Sequence, residues 1–300
     1  MKKIYDYDIN NARIENDDKV SPFAIFEGER LNRFSVDRPC GIWLSDVDKE
    51  ICKSLATYLV LSSDLIYRLL SNKGLPSEKK EIQNHLSKLA RSGYVQKIGF
   101  ETDTGYSAAK AYILLGRGVG LVNSLGVRCK LGGYLAEQDH VGLKRILSSN
   151  QLLINGKYDN VKVAGIVLIE PRHECERSTC LFRPTATCFN SSGEACRFVE
   201  SVRRTPTDKA DLCDKLERMV KVIKARKNAN LVISDDVNVI VVAEDYQHVC
   251  ELMVATKGFR KKLNILFTFD LAVYSSDDFL YEYCPDKSES IFKKAFAACF

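Results

Sequence analysis

From residue 45 to residue 92 the apolar positions recur at intervals of three and four, and from residue 94 they begin to alternate. Ile42, Trp43 and Leu44 run into Ser45-Asp46-Val47-Asp48, a capping-box pattern in which a serine hydroxyl and an acid three residues on satisfy each other's backbone N–H. Val47, Ile51, Leu55 and Leu59 follow on one stripe and predict a helix. Ser62-Ser63-Asp64 makes a second start ahead of Leu65, Ile66, Leu69 and Leu70, and Asn72-Lys73-Gly74 makes its stop. Pro76-Ser77 opens a third helix with Ile82, Leu86, Leu89 and Ala90 inward, ending at Ser92-Gly93.

Tyr94, Gln96, Ile98 and Phe100 then alternate with Val95, Lys97 and Gly99, Asp103-Thr104-Gly105 makes a polar tip, and Ala111 to Leu115 returns as a strand. Three short helices followed by a hairpin predict a winged helix-turn-helix over residues 41–125. Residues 1–40 mix charges without a sustained period and read as an irregular N-terminal arm. Gly116-Arg117-Gly118-Val119-Gly120 follows a strand but lacks the third glycine of a dinucleotide loop, so it reads as a turn into another helix.

With Ile82, Leu86 and Leu89 inward, the third helix turns Lys80, Asn84, Ser87, Lys88 and Arg91 outward, with Lys79 at its start and Gln83 on its flank. Lysine and arginine neutralise phosphates or donate to guanine edges, and an amide offers the donor and acceptor pair that matches adenine. Lys97 and Lys110 lie near the base of the hairpin, within reach of a phosphate backbone. Residues 77–97 hold five basic side chains against two acids, a local excess that the whole-chain charge of +5 does not convey. A charged outer face is also ordinary on a small helical domain, and winged helices serve in protein docking as well.

From Val161 strands and helices alternate: strands at 161–170, 185–189 and 195–202, a helix from Asp208 to about Lys227, a strand at 237–243, a helix at 246–256 and a strand at 263–269. The fold class is therefore α+β, with an α/β domain of mixed sheet over residues 126–300. At 300 residues, 45% hydrophobic and 28% charged, the chain can bury two cores. Eleven cysteines at irregular spacing argue against a disulfide framework. His173, Cys175, Cys180, Cys188 and Cys196 cluster without a C-x-x-C pair, so idle or buried thiols are expected there rather than zinc. Met1 to Asn10 is polar with no apolar run behind it, and no stretch has the length of a membrane span, so a cytoplasmic protein is expected. No Walker loop, G-x-S-x-G or H-E-x-x-H occurs, and neither a cofactor nor a metal is expected.

The Leu114-Leu115-Gly116-x-Gly118 step, His140, Arg183-Pro184, Phe198-Val199-Glu200 with Arg203 and Thr205, and Lys215-Leu216 together resemble the replication-relaxation family, bacterial proteins of plasmids and conjugative elements. Over residues 45–270 the resemblance implies a winged helix joined to a domain similar to restriction-endonuclease folds. Two positions depart from the family's pattern: Thr185 stands where an aspartate usually follows Arg-Pro, and Val202 where an acid follows the glutamate. A metal-dependent nuclease needs at least two carboxylates on its cation, and Glu200 alone is left, so it is expected to pair with Arg203 or Arg204 instead.

These readings point to a non-enzymatic protein that binds double-stranded DNA, sequence-specifically, in replication, relaxation or transfer of a mobile element or in transcriptional control. The resemblance implies a relaxase or replication initiator as partner, and a homodimer would read a two-fold site. A metal-dependent nuclease and a winged-helix protein-docking module are the alternatives. The nine arginines and lysines between Glu200 and Lys227, against five acids, suit either a second phosphate-contacting surface or the solvated face of a helix.

Overall fold

The structure is a computed structural model that describes residues 2–5, 21–34, 41–75, 78–103, 105–129, 135, 137–158, 160–168, 181–275 and 280–284. It is a mixed α and β fold that divides into two compact units, residues 25–157 and residues 1–24 with 158–300. The first strand, β1 (Lys2–Tyr5), belongs to the second unit. The boundary at 157/158 differs from the division expected at 125/126, and residues 1–40 contribute two strands where an irregular arm was expected.

In the first unit, β2 (Arg30–Arg33) precedes α1 (Asp46–Tyr58), β3 (Leu61–Ser62), α2 (Ser63–Asn72) and α3 (Lys79–Arg91). Strands β4 (Val95–Thr102) and β5 (Gly105–Leu114) follow, then α4 (Gly116–Ser124) and α5 (His140–Asn155). The four strands form an antiparallel sheet in the order β2-β4-β5-β3. Helix α1 starts as the capping box expected of Ser45 and Asp48, and Ser62 caps α2 by accepting the Leu65 N–H at 3.2 Å. Gly74 and Gly93 follow α2 and α3 with φ of 71° and 70°, conformations that cost a glycine nothing. Pro76 and Ser77, the expected start of α3, lie outside the described residues, as does Thr104 at the hairpin tip. The apolar lead into α1 is not core, since Trp43 is 90% exposed.

Ile51, Leu55, Ile66, Leu70, Ile82 and Leu86 are fully withdrawn from water and form the centre of this unit. Gly116-x-Gly118 is the start of α4, as expected of a turn into a helix; a Cβ on Gly118 would sit 2.3 Å from the Tyr94 carbonyl oxygen, so only glycine allows the approach. Helix α5 explains why the unit runs on to 157. Asn150 Nδ2 donates to the carbonyls of Tyr58 and Val60 at 2.9 and 2.6 Å, bracketing Leu59, whose φ of 64° turns α1 into β3. Lys144, on the same helix, is wholly buried and donates to both oxygens of buried Glu29 at 2.6 and 2.7 Å, with Phe26 and Phe100 rings 5.1 Å from its Nζ.

The second unit continues with β6 (Val161–Val163), the small pair β7 (Val167–Leu168) and β8 (Leu181–Phe182), β9 (Ala186–Phe189) and β10 (Ala195–Ser201). After these come α6 (Asp208–Lys224), β11 (Ile233–Ala243), α7 (Tyr246–Thr256), β12 (Asn264–Phe269), α8 (Asp270–Ser275) and β13 (Tyr281–Cys284). Its seven-stranded sheet has the order β1-β13-β12-β11-β10-β9-β6 and is mixed. Strands β6, β9 and β10 are antiparallel, β10, β11 and β12 are parallel, and α6 and α7 are the crossovers between the parallel strands. Val239 to Ala243 are all buried, the run expected of a strand covered on both faces. Arg203, fully buried just past β10, donates to Asp270 through Nη1 at 2.5 Å and Nη2 at 3.3 Å, and Ser21 Oγ donates to the same carboxylate.

A single buried charge left without its partner is expensive, whereas replacing both partners by apolar groups is not. We therefore expect Glu29→Leu to lower the urea-unfolding free energy by about 3 kcal/mol or more, and Glu29→Leu with Lys144→Met to recover most of that loss. Equal losses in the single and double variants would contradict this.

Candidate nucleic-acid interface

Helix α3 sets which of the expected contact residues face outward by its rotation about its own axis. Ile82, Leu86 and Leu89 are buried to 0% exposure, and at about 100° per residue that turns Lys80, Asn84, Ser87 and Arg91 to the opposite side. All four are exposed, as are Lys79 and Gln83 at the flank. Among the described residues, Lys80, Asn84 and Arg91 bond no other side chain. Ser87 Oγ turns back to the Gln83 carbonyl at 2.8 Å.

Three of the expected contact residues are engaged within the unit. Lys88 Nζ lies 2.6 Å from Asp48, Lys79 Nζ lies 2.6 Å from Asp64 with the Tyr67 ring at 5.8 Å, and Lys97 Nζ stacks 4.9 Å from the Phe34 ring. Lys88 and Lys97 are half-buried, and Lys110 on β5 is exposed. The face available to a ligand is therefore narrower than the one expected, with Lys80 and Arg91 as its cations and Asn84 between them.

Asp48 is the group that the sequence did not mark out for this role. It has no exposure, yet it accepts from the Ser45 N–H at 2.8 Å, Ser45 Oγ at 3.0 Å, His85 Nδ1 at 2.7 Å and Lys88 Nζ at 2.6 Å. Burial raises its pKa, but the bonds from Lys88, His85 and Ser45 outweigh that and hold it below the ordinary carboxylate value. One carboxylate thus caps α1 and grips α3 at two positions a turn apart. Its capping-box place was legible; its inward orientation depends on the packing of α1 against α3.

In the second unit Glu200 is 1% exposed, accepts the Thr185 N–H at 3.3 Å and contacts Lys215 Nζ of α6. Its partner is thus neither Arg203 nor Arg204. Arg203 is taken by Asp270, while Arg204 reaches Asp245 at 2.9 Å and Glu251 at 3.2 Å. Among the described residues no group of three His, Cys, Asp or Glu side chains is placed to hold a metal ion. His173, Cys175 and Cys180 lie outside the described residues; Cys188 and Cys196 form no disulfide, and burial pushes the Cys188 thiol up to about 12. No helix among the described residues is long and apolar enough to cross a membrane.

Buried His248 bridges the ends of β10 and β11. Its Nε2 lies 3.1 Å from Asp208, and Nδ1 accepts the Glu244 N–H at 3.3 Å, which assigns a neutral ring protonated on Nε2. Burial first, then the positive charge of Arg204 and Arg203, lowers its pKa from 6.5 to about 4.

Compared with protein-family models, curated proteins and solved structures, the chain matches none.

Because the folded pKa of His248 is depressed, the unfolded chain binds the extra proton between about 6.5 and about 4, and stability falls as pH is lowered through that window. The loss attributable to this ring is about 3 kcal/mol, read as a declining melting temperature that flattens in His248→Gln. Asp48→Ala removes a cap and leaves Lys88 and His85 without their acceptor. It should cost about 3 kcal/mol in urea unfolding, and a loss near zero would show that α3 is held by its aliphatic stripe alone.

Proposed function

We propose that residues 41–125 form a winged helix-turn-helix that binds double-stranded DNA, with α3 in the major groove. The element order α1-β3-α2-α3 followed by the β4–β5 hairpin supports that reading, and one observation carries it: the exposed row Lys80, Asn84, Ser87 and Arg91 opposite the buried Ile82, Leu86 and Leu89. Asn84 is the base reader, offering donor and acceptor to an adenine edge. Lys80 and Arg91 flank it along the helix and neutralise phosphates, and Lys110 on the hairpin contributes a further cation. Lys88 acts from the side, fixing the helix through Asp48, while Lys79, exposed at the helix start, is engaged by Asp64.

The proposal extends to the second unit as a non-catalytic domain similar to restriction-endonuclease folds. Glu200 is buried against Lys215, and Thr185 beside it supplies a backbone N–H in place of a second carboxylate. Such a protein would mark a site on a plasmid or other mobile element, in replication, relaxation, transfer or transcriptional control, for a relaxase or initiator acting there.

Titrating labelled duplex at several salt concentrations tests the reading, because phosphate neutralisation makes log affinity fall linearly with log salt. Asn84→Ala should reduce affinity for the preferred site by about tenfold while leaving random duplex nearly unchanged, and Lys80→Ala should weaken both alike. Identical losses for the two variants would remove the base-reading role of Asn84. Cutting of plasmid DNA in Mg²⁺ or Mn²⁺ that disappears in Glu200→Ala would overturn the non-enzymatic reading.

A further inference from the structure

The end of the large sheet at which the parallel strands begin carries a concentration of positive charge that no element of the proposed interface uses. The segment 218–227, closing α6 and leading toward β11, contains Arg218, Lys221, Lys224, Arg226 and Lys227 and no acid. The segment 257–262, leading into β12, contains Lys257, Arg260, Lys261 and Lys262 and again no acid.

Topology brings the two together. Strands β11 and β12 are adjacent and parallel, with Asn238 paired to Asn264, so the chain enters both from the same end. Arg226 is ion-paired with Asp235, three residues before Asn238, and Lys262 stands two residues before Asn264. Strand geometry then limits the backbone separation of Asp235 and Lys262 to about 22 Å, the axial length of about six phosphates on one strand of DNA. The six lysines are exposed, and among the described residues none of them has a carboxylate partner. Asp236 and the engaged Asp235 are the exposed acids of the neighbouring part of β11.

A local cause accounts for part of this. Lys221 and Lys224 occupy the last turn of α6, where the carbonyl end of the helix favours cations. It reaches Lys257, the C-cap of α7, but not Arg260, Lys261 and Lys262, which follow a short 3-10 turn and precede a strand. Beside the first segment the surface is concave: an open depression of about 390 Å³ is lined by Arg226, Lys227, Asn230 and the 63%-exposed Val232. Glu200, near the end of β10, pairs with Val241, and His248 follows the end of β11 in the first turn of α7, so this edge is separate from those buried groups.

We infer that this basic edge of the second unit is a second nucleic-acid surface, contacting the phosphate backbone of duplex DNA without reading bases. Lysines dominate it, and a lysine offers a point charge suited to phosphate rather than the planar fork that reads a guanine. The choice of DNA over another polyanion rests on the role proposed for α3.

The test uses the full chain and two variants whose substitutions are all on exposed side chains. One carries Lys224→Gln, Lys227→Gln, Lys261→Gln and Lys262→Gln; the other carries Lys80→Ala and Asn84→Ala. Melting temperatures equal to the parent's establish that both are folded. Duplex titrations from low to moderate salt should show the quadruple variant weakened at least tenfold on preferred and random duplex alike, with its log–log salt slope shallower by about 2 to 4, near 0.9 for each phosphate contact removed.

An unchanged slope and affinity in the quadruple variant overturns the basic edge while leaving α3 in place. A weakened quadruple variant beside an unaffected α3 variant supports the edge and overturns the role of α3. Retention of the parent by phosphatidylcholine vesicles containing phosphatidylserine, lost in the quadruple variant while its duplex affinity is unchanged, would assign these lysines to lipid and overturn the inference.

Discussion

A charge taken out of water must be met by partners that water no longer supplies, and both units of this protein are organised around charges placed under that constraint. Asp48 is matched by a capping serine, a histidine and a lysine; Glu29 is matched by Lys144 between two phenylalanines. In the second unit Asp270 holds Arg203, and Glu200 holds Lys215. The Asp48–Lys88, Glu29–Lys144 and Arg203–Asp270 pairs join segments 40, 115 and 67 residues apart, so each adds to a specific arrangement a requirement that aliphatic packing alone does not impose. The aliphatic stripes supply the bulk of the driving force and tolerate small rotations, whereas an unmatched carboxylate does not.

That difference bears directly on the proposed interface. A recognition helix must present the same side chains at the same angle each time, and α3 is indexed twice: from beneath by Ile82, Leu86 and Leu89, and from the side by Asp48 through His85 and Lys88. The inward lysine thereby becomes part of the mounting rather than the contact surface. Among the described residues the outward row keeps Lys80, Asn84 and Arg91 disengaged from other side chains, the condition for a side chain to exchange water for a base edge or a phosphate.

Much of the fold was legible beforehand, since local rules decide local structure. The capping box at Ser45, the restart at Ser62, the glycine after α2 and the change of period at Tyr94 each place an element boundary near where it falls. The helix expected at 246–256 is found at those residues, and the strand expected at 263–269 runs from 264 to 269. Less legible was α5, because Lys144, Ser148, Ser149, Asn150 and Gln151 are all buried and a polar residue gives no sign that a partner awaits it inside. The unit boundary moved from 125 to 157 for that reason. Trp43 errs in the opposite direction, an apolar residue beside a helix start that remains in solvent.

The amino-acid sequence by itself determined the alternation of elements, the buried stripe of α3 and hence the membership of its outward row, because helical period and capping chemistry act over a few residues. Only the tertiary structure decided which of those polar groups stayed free. Lys88 and Lys80 are indistinguishable as letters, yet one meets a buried carboxylate forty residues away and the other meets water. The same holds for Glu200, whose partner is set by where α6 lies over β10, and for the two basic segments that parallel pairing brings to one edge. Charges find their partners through space, and the sequence carries no local record of that distance.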